Sequence, residues 1–200
     1  PDLDPALLRL GIALRELGDP RSAVEVLRRA VARQPGSAEA QNALGLALMD
    51  AGSGEDAVST FRALLAVHPA DTTAKHNLGS ALLHQGDLDG AVAVYRELVQ
   101  AAPESAEAFY NLAMALKQKD DFEGALAELR HAVALDPALH DAHYAIGVVL
   151  WQTGRPEEAV AAFRTAVLRK PDLADAHYML GTILRQQGRL EDALAAFREA

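Results

Sequence analysis

Residues 38–71 read AEAQNALGLALMDAGSGEDAVSTFRALLAVHPAD, and this thirty-four-residue pattern decides the fold because it recurs along the chain. Within it Leu44, Leu48 and Met49 stand at helical spacing, Gly52 interrupts, and Ala57, Phe61, Leu64 and Leu65 resume. The spacing predicts two amphipathic helices joined by a short turn. Steps of thirty-four carry Gly45 to Gly11, Gly79, Ala113, Gly147 and Gly181. They carry Ala57 to Ala23, Ala91, Ala125, Ala159 and Ala193, and Pro69 to Pro35, Pro103, Pro137 and Pro171. A fixed period of this length means stacked units, each too small to bury its own apolar face. The expected fold is all-α, a solenoid of helix-turn-helix units in a single array over 1–200: 4–37, 38–71, 72–105, 106–139, 140–173 and a shortened 174–200.

Each recurring residue has a mechanical reason. Gly18, Gly52, Gly86, Gly154 and Gly188 suit the left-handed conformation that ends a helix. Small residues at the Gly45 and Ala57 positions let the paired helices approach. Each unit's final Pro stops its second helix, while Pro20 and Pro156 fall where a first-turn Pro costs nothing. The fourth unit departs, with Ala113 for Gly and Asp120 at the turn. Asp tolerates the left-handed region better than most residues, so that turn is expected to survive as the softest interior one.

Half of the 200 residues are apolar and 5% are aromatic, so Ala and Leu supply the packing and favour helices. With no Cys, a disulfide framework or thiol chemistry is excluded. A net charge of −9 without a basic stripe argues against nucleic acid and anionic membrane as partners. No apolar run is long enough to span a bilayer, and the compartment expected is the cytoplasm. No phosphate-binding loop, nucleophile elbow or zinc-protease motif occurs, so neither enzymatic activity nor a cofactor is expected. His140 and His143 have a spacing open to a metal, yet no third ligand accompanies them in sequence; no metal site is expected.

The pattern L-G-x-x-L, G, A-x-x-x-F, A and P resembles the tetratricopeptide repeat, over essentially the whole chain. The resemblance implies a right-handed superhelix whose first helices line a concave groove for a protein or peptide. The family's large aromatic in the first helix is replaced by Leu7, Gln41, Lys75, Phe109, His143 and His177, with the two His read as half-buried packing residues. Carried over by position, the groove side chains include Leu8, Arg9, Ile12 and Arg15 in the first unit and Asn42, Leu46 and Met49 in the second. His76, Asn77, Ser80, Leu83 and His84 follow in the third, and Tyr110, Asn111, Met114 and Lys117 in the fourth. Tyr144, Val148 and Trp151 come next, then Tyr178, Met179, Thr182 and Arg185.

All three Asn and all three Met of the chain fall on that face. Asn is a mediocre helix residue, and its amide can both donate to and accept from a peptide backbone. Tyr110, Tyr144 and Tyr178 repeat in phase, with Trp151 two turns beyond Tyr144; such rings are common interface anchors. His76 and His84 stand two turns apart and are open to pH-sensitive binding. The function expected is a protein-interaction scaffold holding an extended peptide or a partner helix.

The carboxylate clamp of tetratricopeptide co-chaperones is missing, because its places hold Leu8, Ile12, Ala43, Thr73 and Asn77. A chaperone C-terminal tail is therefore not an expected ligand. The Asn run also looks similar to the repeat domain of O-linked N-acetylglucosamine transferases, which implies a substrate-recruiting arm as an alternative. A structural spacer is the third reading. Pro1 stands one period before Pro35 and Ala200 falls within a second helix, so the chain reads as a piece of a longer array. Leu190, Leu194 and Phe197 would then lie near an end open to end-to-end self-association.

Overall fold

A computed structural model describes residues 3–200; Pro1, and the phase it sets, lies outside the described residues. Twelve α-helices and no strands occur among them, grouped in two compact units that divide between Ala102 and Pro103. The first unit holds α1 (Leu3–Glu16), α2 (Pro20–Arg33), α3 (Ala38–Asp50), α4 (Gly54–Val67), α5 (Thr72–Gln85) and α6 (Leu88–Ala101). The second holds α7 (Ala106–Gln118), α8 (Phe122–Leu135), α9 (His140–Gln152), α10 (Pro156–Arg169), α11 (Ala174–Gln186) and α12 (Leu190–Glu199). Each unit is thus three helix pairs, the all-α solenoid pattern that the period dictates.

The pairs close on one recurring contact. A Cβ placed on Gly79 would lie 2.6 Å from Cζ of Tyr95, and one on Gly147 would lie 2.7 Å from Cε1 of Phe163. Real side chains do not approach so closely, so a residue without a side chain lets the ring of the second helix pack directly against the first. Gly181 receives Phe197 in the same way, at 2.6 Å. Phe197 is thereby turned inward, while its neighbours Leu190 and Leu194 remain exposed. The Ala at each second helix's start is buried, with Ala23, Ala57, Ala91, Ala125 and Ala159 fully enclosed.

Turn and cap residues fix the angles. The five turn glycines have φ of 74 to 79°, and Asp120 takes their place in the fourth turn with φ 60°. The second helices end at Arg33, Val67, Ala101, Leu135 and Arg169, each two residues before a Pro. Asp87 and Asp121 accept from the backbone N–H of Gly90 and Gly124 at 2.9 and 3.0 Å, satisfying an end donor of α6 and α8. At α10 and α12 an Arg stands at the cap instead. Arg155 donates two 2.7 Å bonds to Glu158, and Arg189 pairs with Asp192. The bond from Arg155 holds the Glu158 carboxyl below its ordinary range.

The position of the missing family aromatic follows one rule in three repeats. Gln41 Nε2 donates to the carbonyl of Pro35, six residues earlier. His143 and His177 place Nε2 at 3.2 and 2.8 Å from the carbonyls of Pro137 and Pro171. Both His are half-buried, and beyond packing they tie the start of a first helix to the preceding Pro.

Candidate partner-binding face

The first helices present side chains at a 34-residue phase, so the same helix face recurs in every repeat. In the first unit this face holds a pocket of about 360 Å³. Ile12, Ala43 and Leu46 form its apolar floor, with Arg15, Glu39, Asn42, Asp71 and Thr73 around it. Arg15 also stands 3.8 Å from Asp50 of the next first helix. Asn77 is buried and donates through Nδ2 to Oδ1 of Asn42 at 3.2 Å. The two Asn therefore meet, joining α5 to α3 across the face.

The two His of α5 part company. His76 is half-buried and meets the Tyr95 ring edge-on, with centroids 6.3 Å apart. His84 is exposed and joins Met49, Asp50, Ala81 and Gln85 around a second pocket of about 310 Å³ near the helix ends.

In the second unit a pocket of about 390 Å³ lies among Glu107, Tyr110, Asn111, Asp136, Leu139 and Asp141. Burial pushes the Tyr110 hydroxyl above its ordinary range, and the nearby Asp141 carboxylate adds to the effect. The same pair of causes acts on Tyr144, where the carboxylate is Asp175. Both rings are half-buried, and Tyr144 leans on Phe163 at 5.5 Å. Tyr178 leans on Phe197 at 5.9 Å yet remains 59% exposed. Tyr144 and Tyr178 are thus braced from behind by their own repeat. Met114, Lys117, Val148, Trp151 and Thr182 are half-buried on the same helices, and Arg185 is exposed.

Asp136 and Leu139 were not among the expected face residues. They follow α8 in the inter-repeat turn, so counting along first helices cannot reach them. Glu107 and Asp141, near the starts of α7 and α9, were not among the expected residues either. Their sharing of one pocket with Tyr110 is a finding of the structure. Of the two His spaced for a metal, His140 lies 3.4 Å from Asp141 while His143 is engaged with Pro137. Among the described residues no three His, Cys, Asp or Glu side chains gather closely enough to hold a metal, and no helix is long and apolar enough to cross a membrane.

The tetratricopeptide repeat family matches residues 8–61, 42–106, 91–140, 110–172 and 144–200, and the chain belongs to that family. Among curated protein sequences none matches the chain. Solved structures share the fold at low identity. The type IV pilus biogenesis factor PilW superposes with a TM-score of 0.83 at 18% identity, covering 98% of this chain and 91% of its own. Pseudomonas aeruginosa pilF gives 0.81 at 19%, covering 96% and 88%. YrrB, described as a TPR protein with an unusual peptide-binding site, gives 0.66 at 22%, covering 88% and 91%.

Proposed function

We propose that this tetratricopeptide chain is a non-catalytic interaction scaffold that holds a protein segment, extended or helical, on the face of its first helices. The observation that carries the reading is the Tyr ladder: Tyr178 is 59% exposed yet backed by Phe197, Tyr144 is backed by Phe163, and Tyr110 stands half-buried at the same phase. A large ring held from behind and open in front loses little conformational freedom on binding, which is what an anchor needs. Trp151 extends the ladder along α9, and the amide side chains of Asn42 and Asn77 have the donor and acceptor chemistry that a peptide backbone matches. The peptide-binding site named for YrrB, a relative by fold, supports the same kind of ligand.

The test is a displayed peptide library selected on the wild-type chain and re-screened on Trp151→Ala and Asn77→Ala. Selected peptides should bind Trp151→Ala on the order of tenfold more weakly, in line with an aromatic anchor. A selection whose peptides are indifferent to both substitutions would sink the reading and leave the spacer alternative.

A further inference from the structure

We infer that the first-helix face of the second unit takes an amphipathic α-helix, with Lys or Arg along one flank and Asp or Glu along the other. The inference rests on the partner-binding reading above and narrows its ligand for this unit.

Two rows of opposite charge border the face. Glu107, Asp141 and Asp175 begin α7, α9 and α11, and all three are exposed. Lys117 and Arg185 lie ten residues further along α7 and α11, in phase with Trp151 of α9. Ten residues of helix rise about 15 Å, so the rows cannot neutralise each other. Glu107, Asp175, Lys117 and Arg185 have no ion-pair partner among the described residues, and Asp141 is paired with its neighbour His140. Asp120 and Asp121 follow Lys117 in the turn, but Asp121 is engaged in capping α8. By contrast, Arg155 and Arg189 are paired with carboxylates of their own second helices.

Between the rows lies a floor of Tyr110, Met114, Tyr144, Val148 and Tyr178. A helix with its side chains is about 10–12 Å across, which fits between borders about 15 Å apart and brings each flank to one row. An extended segment needs amides for its backbone. At the places where the first unit has Ala43 and Asn77, the second has Asn111, Ala145 and Met179, so two of three offer no amide. A helix satisfies its own backbone and needs none. Three first helices at the usual 8–10 Å spacing span about 20 Å, or roughly thirteen residues of a bound helix.

The test uses fluorescein-labelled helical peptides of about sixteen residues. All share one Leu/Ala stripe and differ in their flanks: Lys opposite Glu, Lys on both sides, or Glu on both sides. A fourth carries the mixed flanks and a central Pro. Anisotropy titration should show the mixed helix binding about tenfold tighter than either single-sign helix, with most of that margin lost on Arg185→Glu or Asp175→Lys. Both substituted residues are exposed, so thermal melts of the variants should fall by no more than a few degrees, the small cost of a reversed charge at a helix end. Equal binding by the three helical peptides, or no binding by any, overturns the inference. So does tighter binding of the Pro-interrupted peptide, but if Trp151→Ala weakens that peptide the broader reading stands.

Discussion

Asn77 Nδ2 donates to Asn42 Oδ1 across 3.2 Å, joining α5 to α3 through the one polar side chain buried among the described residues. The two ends of this bond differ in their access to water. Asn42 is half-buried, so on losing Asn77 its amide is hydrated; Asn77 on losing Asn42 keeps an enclosed donor with no acceptor. Asn42→Ala should therefore cost about 1–3 kcal/mol and Asn77→Ala about 1 kcal/mol. The double variant should cost little more than Asn77→Ala alone. Urea unfolding of the four chains checks the order, and strict additivity would contradict the bond's role.

The Gly147–Phe163 contact predicts an overpacking cost in the second unit. A Cβ at Gly147 meets Cε1 of the ring at 2.7 Å, with Cδ1 and Cζ also within 3 Å, and Phe163 is fully buried with nowhere to retreat. Gly147→Ala gains helix propensity but should lose about 1–3 kcal/mol net through the displaced ring. In the fourth repeat Ala113 already stands in that phase, with Leu129 where the others carry a ring or Leu27. Ala113→Gly should cost about 2 kcal/mol there, the ordinary helix penalty plus a lost buried methyl. Denaturant midpoints decide between the two signs of the Ala/Gly preference.

What sequence could reveal here follows from what a period encodes. The helix pairs, their turns and the buried Ala positions are fixed by residues that must repeat, because each repeat packs on a copy of itself. Even the departure at Asp120 was readable, since few side chains other than those of Asn and Asp enter the left-handed region at small cost. The face residues were carried over by position from the family resemblance, and a position says only which side of a helix a residue is expected to occupy. It does not say what they touch. That His76 leans on Tyr95, and that Asn77 spends its donor on Asn42, depends on residues whose separations fall outside the 34-residue step. The pocket at Tyr110 needed Asp136 and Leu139 from a turn, where periodicity carries no directional information.

The Asp120 turn yields a stabilising substitution. Its φ of 60° lies in the region where five glycines of this chain reside at 74 to 79°. Asp120→Gly should relieve the side-chain clash and raise stability by about 0.5–1 kcal/mol, and Gly154→Ala should lower it by about 1–2 kcal/mol. Asp120 belongs to the second unit, so the gain should appear as a higher melting temperature that is also present in residues 103–200 probed by hydrogen exchange. An unchanged or lower melting temperature for Asp120→Gly would show that the Asp side chain contributes a compensating interaction at the turn.

Tyr95 predicts a specific alkaline weakness. Burial pushes its hydroxyl from 10.0 up to about 12, because the phenolate would be enclosed with its ring against Gly79. Between those values the folded state keeps a proton that the unfolded state has shed. Folding then takes up a proton, so the stabilisation is complete below pH 10 and is lost as pH rises toward 12. The loss should be on the order of 2 kcal/mol across that window, and Tyr95→Phe removes it by removing the titrating group. Tyr110 and Tyr144 shift in the same direction but are present in both chains, so their contributions cancel in the comparison. Urea unfolding at pH 9 and pH 11.5 should therefore show a smaller drop for Tyr95→Phe than for the wild type. Absorbance at 295 nm should resolve one tyrosinate appearing late in the wild-type titration and missing from the variant. Parallel pH profiles in the two chains would mean that Tyr95 reaches solvent in the folded protein.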